Sequence, residues 1–258
     1  MSSTIIELNA PQTQAFDFQP SSELQIIPTP TLNTLVQQLA GFDSLTSALE
    51  YAAKGVTGYN FYDARGNLRS VLPYSVLREN ARDLARRFMN FDLPRGSRVA
   101  IIADTSPEFV ELFFACRYAG LVPFAMPIPV NLGSRKIYVQ QLKGMLESSE
   151  ASIALSNLDY IEFLNEASRE SISLKWLGTP GDLKQLPIRD SDLECNHSDE
   201  TAYLQFTSGS TRSPRGVVIT ERALMCNLQG IVRNGLEITP QDRSASWLPF
   251  YHDMGLVG

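Results

Sequence analysis

The sequence predicts an α/β fold, a doubly wound and mostly parallel sheet in layers with flanking helices. Three observations point there. Short runs of branched apolar residues alternate with segments of helical periodicity, the strand–helix–strand pattern of that class. The run Arg-Val-Ala-Ile-Ile-Ala over 98–103 shows no polar alternation, and a strand covered on both faces needs none. Finally, 258 residues with 43% hydrophobic and 19% charged side chains make an ordinary globular composition, long enough for a substantial core.

The elements follow in order. Residues 1–30 are polar and carry Pro11, Pro20, Pro28 and Pro30, which predicts an extended lead-in. Residues 32–53 have helical spacing with a break at Gly41. Leu32, Leu35 and Leu39 mark one stripe, and Leu45 and Leu49 a second. Residues 59–62 read as a strand, Gly66 supplies the positive φ of a turn, and residues 68–72 return. Ser75 is placed to cap a helix that buries Leu77, Ala81, Leu84 and Phe88. After the strand over 98–103, Ser106 caps a helix and Pro107 opens it. Phe109, Leu112, Phe113 and Cys116 form its buried stripe, and Gly120 ends it. A strand over 121–126, a loop with Pro127 and Pro129, a helix over 134–146, a strand over 151–155 and a helix over 158–166 continue the alternation. The polar stretch 179–199 reads as a boundary. The expected organisation is a lead-in over 1–30, a first α/β subdomain over 31–195, and the start of a second subdomain over 196–258.

Several function classes are disfavoured. The chain has 22 basic and 28 acidic residues, a net charge of −6, and no block of Lys or Arg. That argues against nucleic-acid binding. Cys116, Cys195 and Cys226 lie far apart and form no CxxC. Neither a disulfide framework nor a zinc site is supported, and reduced, mostly buried thiols are expected. The N-terminus lacks the basic start and apolar core of a secretory signal. No stretch approaches the ~20 apolar residues of a membrane span. A soluble, cytoplasmic protein is the reading. Arg78, Arg82 and Arg86 recur at helical spacing beside Glu79 and Asp83, as on a solvated helix face.

The chemistry concentrates over residues 203–219. The segment begins and ends as a strand. Between lie five hydroxyl residues (Thr207, Ser208, Ser210, Thr211, Ser213), with Gly209, Gly216, Arg212 and Arg215. Such a loop offers backbone N–H groups, hydroxyls and a cation to one polyanion. Gly209 lets the backbone approach the ligand, and Arg215 supplies a bidentate fork for phosphate. The glycine spacing is not that of a Walker A loop, and no nucleophile elbow is present. A Ser-rich surface turn has the same composition.

The run Thr-Ser-Gly-Ser-Thr-x-x-Pro-x-Gly resembles the phosphate-binding loop of the adenylate-forming ligases. Arg212 stands where the usual loop has Gly, and Arg215 where it has Lys. A second run over 246–256, Ser-Trp-Leu-Pro-Phe-Tyr-His-Asp-Met-Gly-Leu, is similar to the corresponding stretch of fatty acyl-AMP ligases. One helix lies between, capped by Thr220 with Leu224, Leu228 and Ile231 on its apolar face. Alone, His252 reads as a hydrogen-bonded, partly buried histidine. Beside the loop it reads as part of a site. Asp253 is placed to cap the following helix, and Trp247, Phe250 and Tyr251 divide between core and pocket wall.

The resemblance implies the fold of an adenylate-forming ligase, of which this chain would be an incomplete N-terminal portion. It implies that Thr207, Ser208, Gly209, Ser210, Thr211, Arg215 and Gly216 bind ATP and that His252 stabilises charge at the carboxylate–phosphate junction. It also implies Mg²⁺ on the phosphates, although no metal ligand is assigned in this chain. The implied reaction joins a fatty acid to AMP and releases pyrophosphate, with an acyl carrier protein as acceptor. Coenzyme A is the acceptor if the chain is instead an acyl-CoA synthetase of the same fold, and a non-catalytic relict is the third reading.

Overall fold

The computed structural model describes residues 35–129, 135–194, 196–207 and 215–257. The predicted lead-in over 1–30, Leu32, Ser134, Cys195 and the loop residues Ser208, Gly209, Ser210 and Thr211 lie outside them.

Helix α1 (Leu45–Ala52) is followed by an antiparallel hairpin, β1 (Gly58–Tyr62) and β2 (Leu68–Pro73). Gly66 turns it at a φ of 80°, where a side chain would be strained. Helix α2 (Tyr74–Phe88) follows directly. The main sheet then alternates strand and helix: β3 (Arg98–Ile102), α3 (Pro107–Tyr118), β4 (Val122–Met126), α4 (Arg135–Ser149), β5 (Ile153–Leu155), α5 (Ile161–Ser168), β6 (Trp176–Gly178) and α6 (Pro180–Gln185). Strands β7 (Thr201–Phe206) and β8 (Gly216–Thr220), helix α7 (Glu221–Gln229) and the four-residue helix α8 (Asp253–Leu256) complete it. Among the described residues six strands form one sheet in the order β6-β5-β3-β4-β7-β8, with β8 alone antiparallel to its neighbour.

Successive side chains of a strand point to opposite faces, and β3 shows the result. Val99 and Ile101 pack with Leu77, Leu84 and Phe88 of α2 and with Phe109 and Leu112 of α3. Ala100 and Ile102 pack with Phe124, Met126 and, from α4, Leu142 and Leu146. Both faces are therefore covered, which is the predicted doubly wound arrangement.

Several local expectations are corrected. Residues 35–44 are not helical. Helix α1 starts only at Leu45, where Ser44 caps it and Ser47 returns the bond to the Ser44 N–H. Upstream, Ala40 is left-handed at a φ of 51°. Side chains from a distant segment hold this stretch instead: Gln229 donates to the Ala40 carbonyl at 2.9 Å and Arg233 to the Leu39 carbonyl at 3.0 Å. Ser75 does not cap α2, because the helix begins one residue earlier, after Pro73, with no side-chain cap. Cys116 is buried as expected, but Cys226 is exposed. The basic row is a contact between helices more than a solvated face. Arg82 and Arg78 reach Glu50 of α1 at 3.0 and 3.6 Å, and Arg82 lies 5.6 Å from the Tyr118 ring. Within the polar stretch 179–199, residues Pro180–Gln185 form α6, opened by a Thr179–Asp182 capping box. No helix among the described residues is long and apolar enough to cross a membrane.

Candidate active site

The β7–β8 hairpin carries the predicted loop. Its ladder runs from Thr201 opposite Thr220 to Phe206 opposite Gly216, and the Thr207 N–H donates to the Arg215 carbonyl at 3.2 Å. Thr207 and Arg215 stand side by side at the neck of the loop, both exposed. The neck lies at the carboxyl end of β7, the edge at which open α/β sheets take their ligands. Gly216 has a packing reason of its own. A Cβ there would meet the Phe206 ring at 3.3 Å.

The second motif folds into a tight turn. The His252 N–H donates to the Pro249 carbonyl at 3.0 Å, and the His252 carbonyl accepts from Gly255 and Leu256 at 2.9 and 3.0 Å. A Cβ on Gly255 would fall 2.2 Å from the Pro249 oxygen, so only glycine fits. His252, not Asp253, is the N-cap of α8, which corrects the expectation for Asp253. The His252 side chain is 54% exposed, with Nδ1 2.7 Å from Asp253 Oδ1. As the cap, Nδ1 accepts the Met254 N–H at 3.3 Å, so the neutral ring carries its proton on Nε2. Met254 N–H takes the same Oδ1 as acceptor at 2.8 Å, so the carboxylate is itself held in place.

Among the described residues one hydrogen bond joins the two motifs. Gln205, two residues before Thr207, donates through Nε2 to the Tyr251 carbonyl at 3.2 Å. Its Oε1 is buried without a partner among the described residues. A buried orphan acceptor is costly, and this one lies where the loop neck and the His252 turn meet.

Beside the turn is an apolar cavity of about 220 Å³. Leu45, Phe109, Phe113, Tyr203, Leu224 and Phe250 are among its walls, and Leu256 and Val257 complete it next to His252. Phe250 stacks on Phe109 with centroids 5.2 Å apart and planes at 13°. The Tyr203 phenol is pushed up to about 12, first by burial and then by the Asp253 carboxylate, so it stays neutral and the wall stays uncharged. His252 does not line the cavity, and Trp247, 92% exposed, is neither core nor wall. A larger hollow of about 470 Å³ lies at the opposite end of the sheet, between Phe88, Leu93, Leu121 and Arg189. It is remote from both motifs.

The AMP-binding enzyme family matches residues 61–258. The chain belongs to this family. A protein named as an acyl-CoA synthetase in Caulobacter vibrioides is 41% identical over 234 residues, 91% of this chain and 40% of that protein. A long-chain-fatty-acid–AMP ligase of Mycolicibacterium smegmatis is 30% identical over 210 residues, 77% of this chain and 32% of its own length. A solved structure from a study of fatty acyl-adenylate ligases of E. coli and L. pneumophila is 44% identical with a TM-score of 0.82, and covers 85% of this chain and 40% of its own. This AMP-binding chain thus spans well under half the length of the relatives it matches.

Sequence reasoning missed two features of this family member. Gln205 was legible only as a polar residue in an otherwise apolar strand. The buried pair Arg117 and Glu221, 104 residues apart, left one trace, a cation within the apolar helix over 107–118.

Proposed function

We propose that this chain carries the adenylation site of a fatty acid-activating enzyme. A carboxylate oxygen of the fatty acid attacks the α-phosphorus of ATP, the bond to the β-phosphate oxygen breaks, and acyl-AMP and pyrophosphate result. The observation that carries the reading is the Gln205–Tyr251 bond. It sets the neck of a hydroxyl-rich loop beside the His252 turn, at the rim of an apolar cavity.

Each part has a task. Thr207 and Arg215 stand exposed at the neck, a hydroxyl and a cation suited to a polyphosphate. We assign Ser208, Gly209, Ser210, Thr211 and Gly216 to the same cradle. The cavity takes the first part of the acyl chain and excludes water from it. His252, with Nδ1 engaged as the cap of α8, presents its other ring nitrogen, Nε2–H, to the reacting oxygens and stabilises charge there. Among the described residues no group of three or more His, Cys, Asp or Glu is placed to hold a metal ion, so Mg²⁺ is assigned no ligand and no step here.

The acceptor we propose is the phosphopantetheine thiol of an acyl carrier protein, in the cytoplasm where ATP is supplied. The likeness to a protein named as an acyl-CoA synthetase favours coenzyme A as the second reading. Exchange of labelled pyrophosphate into ATP, dependent on added fatty acid, tests the half-reaction. Exchange with alkyl acids is expected, and its absence with every chain length overturns the proposal. Thiol transfer from preformed acyl-AMP then separates the two acceptors.

A further inference from the structure

Behind the cavity lies a buried ion pair that the adenylation reading leaves unused. Arg117 is 1% exposed and Glu221 0%. Arg117 Nη2 lies 3.0 Å from Glu221 Oε1, and Nε donates to the same oxygen at 3.1 Å. Nη1 donates to the Leu121 carbonyl at 2.7 Å and Nη2 to Asn196 Oδ1 at 2.8 Å. The other Glu221 oxygen accepts the Leu45 N–H at 3.0 Å. Each guanidinium nitrogen has an acceptor, as a buried charge requires. Yet such a pair often stabilises no more than apolar side chains of the same volume. Its presence calls for a geometric reason.

The cavity supplies one. Leu45 opens α1 and lines the cavity, while its N–H is held by Glu221. Glu221 opens α7, one turn before Leu224, another wall residue. Arg117 lies one turn beyond Phe113 on α3, whose Phe109 and Phe113 form a third wall. Three walls are therefore tied to one pair. The cavity also has a direction. Phe109 meets Phe250 at the His252 end, Phe113 lies roughly 6 Å further along the helix axis, and Arg117 about 6 Å beyond that. The pair stands beneath the end remote from the reacting carboxylate. An alkyl tail gains nothing by parting two enclosed charges.

We propose that Arg117 and Glu221 are positioning residues that fix the depth of the cavity. By holding Leu45 and Leu224 against α3, they set the longest acyl chain admitted. The proposal rests on the reading of the cavity as the acyl site. Its test is displacement of the fluorescent fatty acid cis-parinaric acid by straight-chain acids from hexanoic to palmitic. The proteins are the wild-type chain, Arg117→Met combined with Glu221→Gln, and Arg117→Lys. In the neutral double variant the affinity of long acids relative to hexanoic acid rises at least tenfold. Arg117→Lys keeps a cation against Glu221 and keeps the wild-type length limit. The ratio is read within one preparation, so partial unfolding does not mimic it. Should the double variant not fold, Glu221→Gln alone carries the test, with at least a threefold rise expected. A length limit that does not move in a folded variant overturns this proposal and leaves the acyl reading standing. A wild-type chain that binds no acid overturns both.

Discussion

At the scale of the residue, the site rests on side chains whose exposure decides what their removal does. His252 is 54% exposed and holds only the first turn of a four-residue helix, so His252→Ala leaves thermal stability nearly untouched. Loss of a single preorganised donor at a developing charge typically costs about 10²–10³ in rate. That fall in pyrophosphate exchange, with an unchanged melting temperature, is the expected result, and a rate within twofold of wild type would remove His252 from the chemistry. Gln205 behaves differently. Replacement by Leu removes the bond to the Tyr251 carbonyl but also removes a buried acceptor that has no partner. Those two effects on stability oppose each other, because a net hydrogen bond contributes only about 0.5–1.5 kcal/mol and an orphaned acceptor costs a similar amount. Activity has no such compensation. We expect Gln205→Leu to melt within a few degrees of wild type while exchange falls about tenfold, the equivalent of roughly 1.4 kcal/mol in the barrier. A variant that keeps full exchange would show that the two motifs need no link.

At the scale of the element, two glycines separate packing from architecture. A methyl at Gly216 meets the far end of the Phe206 ring at 3.3 Å, and a ring can give way. Gly216→Ala should cost about 1 kcal/mol, at the low end for overpacking, and lower the melting temperature by about 2–4 °C. A methyl at Gly255 meets the Pro249 backbone oxygen at 2.2 Å, and backbone can give way only by rebuilding the turn. Gly255→Ala should therefore abolish exchange while the rest of the sheet melts as before; a variant with normal exchange would contradict the turn geometry. The same local character explains what the sequence disclosed. The two motifs are contiguous strings, so their residues could be found without knowing the fold. Strand β6 has three residues and α6 has six, too short for a period to show. Residues 35–39 have helical leucine spacing, but hydrogen bonds from Gln229 and Arg233 some 190 residues away decide their conformation. The Arg117–Glu221 pair was hidden for the same reason. Only the folded sheet brings α3 and α7 together.

At the scale of the whole molecule, the segment over 196–200 leads into the β7–β8 hairpin, and charge holds it down. Arg95 grips Glu200 with both arms of its fork, Nε to Oε1 at 2.5 Å and Nη2 to Oε2 at 2.8 Å. The His197 N–H adds a third bond to Oε2 at 3.0 Å, and neighbouring Asn196 ties the segment to Arg117 and to Thr46 of α1. The Arg95 bond first, with the His197 N–H and the nearby guanidinium charges adding to it, holds the Glu200 carboxyl down at about 2, against an ordinary 4.5. The folded chain therefore releases this proton more readily than the unfolded chain does. Linkage then fixes the sign: the clamp contributes its full stability above pH 4.5 and loses it as pH falls from there toward about 2. Glu200→Gln keeps the shape and removes the titration. Denaturant unfolding of both proteins across this window should give a stability difference that is constant above pH 4.5 and narrows steadily below it. The narrowing should be accompanied by faster amide exchange in β7, because the hairpin that presents Thr207 and Arg215 is anchored through the same segment. A difference that stays constant down to the acid end of the window would show that Glu200 titrates alike in both states and that the clamp does not hold the hairpin in place.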